Sequence, residues 1–265
     1  MNVESNDPTA RLAAALQRYP ALAIAVSGGV DSLTLATVAH RVMTVPPLMV
    51  HAVSAAVPAA ATARVRDFAS SQGWQLKEIL AGEFDDANYV ANPYDRCYYC
   101  KSNLYQSMRT VTDRLLASGT NVDDLADYRP GLQAAAERNV VHPFVAAGID
   151  KRQIRGIARQ LGLDCADLPA QPCLASRIET GIPIRAPDLG FVDMLEARLR
   201  AMLGEHSTVR VRVRAGGVHV ELGASPDPGM LSQLEGMASV VCAEHAYRFV
   251  AMMPYRQGSA FIAEG

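Results

Sequence analysis

Apolar positions recur along this chain with two periods in turn, and their alternation predicts the architecture. Residues 9–18 repeat with helical spacing, whereas 21–26 form an unbroken apolar run that suits a strand buried on both faces. A glycine-containing turn comes next, then an apolar helix over 33–40. The same unit returns as a strand at 48–53, a helix at 60–72 and a strand at 75–80, before an irregular stretch at 81–94. Residues 101–117 read as helical, 130–131 as a turn, and 132–138 as a short helix. Residues 150–161 form a well-signalled helix, with Asp150 as N-cap and Gly162 as its stop.

Strand and helix alternating in this way predict an α/β fold with a doubly wound parallel sheet. Residues 164–187 are proline-rich and aperiodic, as expected of an active-site loop and hinge. Beyond them the pattern changes to an amphipathic helix at 189–203, paired strands at 209–214 and 218–222, a helix at 230–237 and a strand at 247–252. This predicts a smaller C-terminal α+β domain, dividing the chain into 1–185 and 186–265.

The sharpest chemical signal is Ser27-Gly28-Gly29-Val30-Asp31-Ser32, between the first strand and the helix after it. Two glycines allow a tight turn with N–H groups aimed inward, and a helix N-terminus adds partial positive charge, so the loop suits a pyrophosphate. Ser27 and Ser32 add hydroxyls, and Asp31 is best explained as a ligand to Mg2+ accompanying the phosphates. The segment lacks the Gly-Lys-Ser/Thr of a Walker loop and is not Gly-x-Gly-x-x-Gly. It resembles the PP-loop of the adenine-nucleotide α-hydrolase superfamily, whose members hold the β,γ-pyrophosphate of ATP there.

Charge and cysteine usage narrow the classes. A formal net charge of -2 over 265 residues gives no global basic field for nucleic acid. No apolar run approaches the ~20 residues of a membrane span, and a cytoplasmic location is expected. Five cysteines do not read as a disulfide framework. Cys97 and Cys100 form a Cys-x-x-Cys pair and Cys173 lies in the proline-rich loop, whereas Cys165 and Cys242 read as packing residues. Three thiolates can hold three irons of a [4Fe–4S] cluster and leave the fourth open; zinc, or plain buried thiols, are the other readings.

Three further segments carry a closer resemblance: 92–101 around Cys97 and Cys100, 119–131 beginning Gly119-Thr120-Asn121 and including Asp124 and Asp127, and 172–177 with Cys173 and Arg177. Together with the Val-Arg-Val-Arg-Val-Arg run at 209–214, they resemble the LarE family of ATP-dependent sulfur transferases, which build the nickel-pincer nucleotide. The resemblance implies ATP and Mg2+, with Asp31 and Asp124 as metal ligands and Gly119, Thr120 and Asn121 lining the nucleotide crevice. It implies sulfur delivery either by sacrifice of Cys173, leaving dehydroalanine, or from a [4Fe–4S] cluster on Cys97, Cys100 and Cys173. Arg177 is implied beside the reacting groups. Arg210, Arg212 and Arg214, which alternate onto one face, are implied with Glu221 and Arg256 at the phosphate of a small-molecule nucleotide substrate.

Residues 218–222 depart from the family pattern around Glu221, which leaves the exact substrate open. A sulfur donor protein or sulfide, and a homo-oligomeric assembly, are further implications. A tRNA thiolase, an ammonia-using synthetase of the NAD-synthetase kind and an ATP-binding module without catalysis are the rival readings. His51 and His142, beside apolar sequence, read as hydrogen-bonded structural histidines.

Overall fold

The computed structural model describes residues 7–126 and 129–256; Asp127, which the sequence singled out, lies outside the described residues. In chain order the elements begin with α1 (Pro8–Leu16), β1 (Leu22–Ala25), α2 (Val30–Val42), β2 (Leu48–Ala52), α3 (Ala59–Gln72) and β3 (Gln75–Ile79). There follow α4 (Ala87–Val90), α5 (Arg96–Arg109), β4 (Leu115–Ala117), α6 (Pro130–Glu137), α7 (Pro143–Ala146) and α8 (Lys151–Gln160). The remainder comprises α9 (Ala186–Leu203), β5 (Val209–Arg214), β6 (Gly217–Leu222), α10 (Pro228–Glu244) and β7 (Phe249–Pro254). The chain divides into two compact units, residues 1–83 with 95–168, and 84–94 with 169–265.

The first unit is an α/β layer structure. Its sheet runs β3-β2-β1-β4 with every pairing parallel. Successive side chains of β1 enter opposite layers, as the two-residue period of a strand requires. Leu22 and Ile24 join a core with Leu12 and Leu16 of α1, Leu33 and Leu35 of α2, and Ile154 and Ile157 of α8. Ala23 faces the other way, with Tyr105 and Met108 of α5 and Ala135 of α6. Helices thus cover both faces of the sheet, which is the doubly wound arrangement expected from the alternation of periods.

Element boundaries obey local chemistry. Asp7 caps α1 by accepting from Thr9 N and Ala10 N, and Asp150 caps α8 in a reciprocal box with Gln153. The helix expected at 101–117 instead starts at Arg96 and stops at Arg109, and residues 115–117 are strand β4. β-Branched Val111 and Thr112 and the turn bond from Arg114 N to Thr112 Oγ1 end the helical stretch, and Leu22 to Ile24 offer a ladder to the three residues after it. The apolar trio Leu115-Leu116-Ala117 satisfies either period, so pattern alone could not separate strand from helix there. Pro130 and Gly131, expected as a turn, form the first turn of α6, where proline's missing N–H costs nothing. The irregular stretch after β3 contains the short helix α4, capped by Asp86.

The second unit holds a three-stranded sheet in the order β5-β6-β7, antiparallel between β5 and β6 and parallel between β6 and β7. Gly217 carries the hairpin with φ +125, and a Cβ there would stand 2.5 Å from Arg248 O. Among the described residues no helix is long and apolar enough to cross a membrane.

Candidate functional site

The strand order places β1 between β2 and β4, so the chain leaves the C-terminal end of β1 where the direction of winding reverses. In parallel open sheets that reversal opens a crevice for ligands. The segment from Ser27 to Ser32 starts at this point, and α2 begins earlier than the sequence pattern suggested, at Val30, so Asp31 and Ser32 belong to its first turn. Gly28 has φ +77, and a Cβ on it would lie 2.5 Å from Ala61 O; only glycine fits this turn. Ser32 Oγ donates to Gly29 O and accepts from Ser27 N, and the Ser27 and Ser32 hydroxyls lie 3.2 Å apart. Ser32 therefore uses its hydroxyl inside the loop. Arg64 of α3 donates to Gly28 O at 2.7 Å, which turns that carbonyl towards α3. The sequence had given Arg64 no role, because its signal is only three-dimensional.

The end of β4 closes on the same loop. A Cβ on Gly119 would stand 3.0 Å from Ser32 N and 3.2 Å from Asp31 C, so the two loops touch through backbone. Thr120 Oγ1 lies 3.0 Å from Ser118 Oγ, which in turn lies 2.9 Å from His142 Nδ1. Burial lowers the His142 pKa, against a smaller opposing pull from Asp124. Asn121 caps the short turn Val122–Leu125, and Asp124 reciprocates by accepting from Asn121 N at 3.0 Å. Both expected metal ligands meet cations: Lys151 Nζ donates to both oxygens of Asp31, and Arg129 Nη2 lies 2.9 Å from Asp124 Oδ1. Burial raises the Asp31 pKa, opposed by Lys151 and reinforced by the Asp124 charge. His51 Nδ1 lies 2.8 Å from Val26 O, which can only accept, so Nδ1 is the donor there; Nε2 lies 2.9 Å from Thr62 Oγ1.

Cys97 and Cys100, both half-buried, are the second and fifth residues of α5 and share one face of it. α6 packs closely against this helix, with the Gly131 Cβ position 3.0 Å from Lys101 Cγ and 3.6 Å from Cys97 O. Cys165 is buried, with its thiol pushed up to about 11 by that burial, and Cys242 likewise to about 11. Both are poor nucleophiles at neutral pH.

In the second unit Cys173 is exposed, immediately before the short turn Leu174–Arg177. Arg177 is only 2% exposed and grips the loop behind the cysteine: its Nη1 donates to Pro172 O at 3.0 Å and Ser176 Oγ at 2.9 Å. Its other face makes a two-pronged pair with Glu196 of α9. Glu196 also accepts from Arg200 and from Val211 N. Burial alone would raise the Glu196 pKa, but the Arg177 pair, the bond from Val211 N and the Arg210 charge outweigh it and hold the carboxyl below its ordinary range. Nothing in the sequence marked Glu196, whose i,i+4 spacing to Arg200 looks like any helix surface pair.

The alternating arginines have distinct surroundings. Arg212 pairs with Glu221 and donates to Ser176 O at 2.8 Å, and Arg214 lies 3.4 Å from the other Glu221 oxygen. Arg210 donates to Ala170 O and its guanidinium lies over the Tyr255 ring. Burial lowers its pKa to about 10, which leaves it protonated at neutral pH. Arg256 is exposed. Among the described residues no group of three or more His, Cys, Asp or Glu side chains is placed to hold a metal ion.

No family model matches the chain. It is 37% identical over 206 residues to the uncharacterized protein slr1717 of Synechocystis, covering 75% of each chain. It is 29% identical over 193 residues to the uncharacterized protein MJ0830 of Methanocaldococcus jannaschii, covering 71% of this chain and 72% of that one. The pyridinium-3,5-bisthiocarboxylic acid mononucleotide synthase of Lactiplantibacillus plantarum is 26% identical over 218 residues, with 80% of this chain and 78% of the synthase covered. The chain belongs to the family that includes slr1717, and that synthase is its distant relative.

Proposed function

We propose that the protein is an ATP-dependent sulfur transferase that adenylylates the carboxylate of a small-molecule nucleotide of the pyridinium dicarboxylate mononucleotide class and releases pyrophosphate. The observation that carries this reading is the glycine loop at the sheet's reversal point, touched through backbone by Gly119 and followed by Asp31 in the first turn of α2. The distant synthase supports sulfur transfer as the chemistry.

The residues fit a nucleotide: Gly28 leaves no side chain in the turn, and the first turn of α2 offers N–H groups to a pyrophosphate. They also fit Mg2+, which is commonly bound by one or two carboxylates with phosphates and water completing its shell; Asp31 and Asp124 would be those two. When bound, Mg2+ would neutralise charge on the leaving pyrophosphate. Gly28, Gly29, Val30, Gly119, Thr120 and Asn121 would hold the nucleotide, and Arg210, Arg212, Arg214, Glu221 and Arg256 the substrate's own phosphate. Arg212, Arg214 and Glu221 form one charged group on the β5–β6 hairpin, which supports that assignment.

Cys97, Cys100 and Cys173 are the thiols assigned to sulfur delivery, and the exposure of Cys173 on a loop clamped by Arg177 suits it to the transfer step. The described residues do not group three such ligands, so a [4Fe–4S] cluster, which would supply a labile sulfide, would need the three thiols to converge; without one, the Cys173 thiol attacks the acyl-adenylate, gives up its proton, and AMP departs. Removal of the Cα proton with breaking of the Cβ–S bond then releases the substrate's thiocarboxylate and leaves dehydroalanine at position 173.

The test is pyrophosphate release from ATP with the pyridinium dicarboxylate mononucleotide as acceptor, alongside anaerobic iron and sulfide analysis. Substrate-dependent release is expected, and its absence with wild type would overturn the reading. Iron lost in Cys97→Ala, Cys100→Ala and Cys173→Ala supports the cluster; an iron-free, active protein that loses the mass of hydrogen sulfide at Cys173 supports the sacrificial route.

A further inference from the structure

Lys151 gains its meaning only in three dimensions. The structure makes it the first residue of α8 and anchors its root: Lys151 N donates to Asp123 Oδ2 at 3.0 Å, from the same short turn that carries Asp124. Its ammonium group reaches the phosphate loop and occupies both Asp31 oxygens, while the side chain stays 34% exposed. Arg129 holds Asp124 in a parallel pair.

A divalent ion bound by Asp31 needs the oxygen lone pairs that Lys151 uses, and an ammonium group beside that ion is repelled. The phosphates that arrive with the ion bring new negative charge to the loop on which Asp31 sits. A lysine stem is flexible and its three donors have no fixed plane, so it can change partners without moving its helix. Resting on the nucleotide reading above, we infer that Lys151 is an exchangeable counter-ion. It holds the Asp31 carboxylate until a divalent cation takes that carboxylate, and then passes to the phosphates of the nucleotide. Lys151 is thereby a competitor of the metal alone and a ligand of the metal–nucleotide pair, which couples the two binding events.

Mn2+ binding to the full chain, monitored by electron paramagnetic resonance with and without ATP, tests this, together with calorimetry of ATP binding in the presence of Mn2+. Wild type should bind Mn2+ weakly alone and more tightly with ATP. Lys151→Gln removes the competitor and the phosphate ligand together. Its affinity for Mn2+ alone should rise about threefold, as expected for loss of a partly exposed ion pair, while its affinity for ATP with Mn2+ falls about tenfold. Lys151→Arg grips a carboxylate with a two-pronged fork, so Mn2+ alone should bind more weakly than to wild type.

A merely structural lysine would move both affinities of the Gln variant the same way, or neither, and either result overturns the exchange while leaving the nucleotide reading intact. If circular dichroism shows the Gln variant unfolded, the direction of the Mn2+ shift in Lys151→Arg decides, and a value equal to or tighter than wild type overturns it. A wild type that binds no ATP in either condition overturns the nucleotide reading itself.

Discussion

At the scale of single residues, the glycine loop after β1 is held by two positions where an added Cβ meets backbone. Gly28 sits at φ +77 with Ala61 O 2.5 Å from the Cβ position, so Gly28→Ala meets a backbone atom that cannot rotate away. The left-handed backbone alone costs roughly 1–2 kcal/mol for an L side chain, and the clash adds to it. The variant is expected to melt lower and to lose nucleotide binding, measured by thermal denaturation with and without MgATP; an unchanged ligand-induced rise in Tm would sink the assignment of this turn. Gly119→Ala meets the Ser32 and Asp31 backbone at 3.0 to 3.2 Å, a milder approach, and should weaken binding while costing less stability. The contrast between the two glycines is informative because only Gly28 combines a positive φ with the close contact.

At the scale of elements, Glu196 ties α9 to β5 and to the turn after Cys173, through Arg177, Arg200 and Val211 N. Removing its charge by Glu196→Gln leaves the buried Arg177 guanidinium without a counter-charge, which costs on the order of 3–5 kcal/mol. The pH dependence comes from a carboxyl held below its unfolded value near 4.5: the contribution is complete above that value and is lost as pH falls through the folded one. Urea denaturation between about pH 7 and pH 3 should show the wild type losing more stability on acidification than Glu196→Gln does. Equal acid slopes would mean that Glu196 is not the depressed group.

The elements also show how much could be seen in the sequence. The glycine turn after β1, the parallel α/β layers and the β5–β6 hairpin were legible, because glycine spacing and hydrophobic period are local properties of the chain. Strand β4 was hidden because three apolar residues fit either period and its identity comes from pairing with β1. Arg64, Lys151 and Glu196 were silent because each acquires its meaning from a partner 36, 120 or 19 residues away.

At the scale of the whole molecule, the second unit is discontinuous: residues 84–94 belong with 169–265 although the first unit intervenes in sequence. Asn92 is the fastener within that unit. It is fully buried, adopts φ 55, and its Nδ2 donates to Glu179 O at 2.8 Å and Ile182 O at 2.9 Å, while its own backbone carbonyl accepts from Gly181 N. Asparagine tolerates the left-handed backbone better than most L residues and supplies the donors, so no other residue type meets both demands as well. Asn92→Ala loses both, at an expected cost of about 2–4 kcal/mol. The backbone bond from Ile184 N to Val90 O joins the same two segments. A fragment of residues 169–265 lacks all of these partners and should show no cooperative melt alone, whereas the same fragment fused through a flexible linker to residues 84–94 should regain one. Calorimetry of the two fragments decides: a sharp transition in the shorter one would mean that the α9, α10 and β5–β7 core suffices, and that the inserted segment adapts to the fold of the unit instead of completing it.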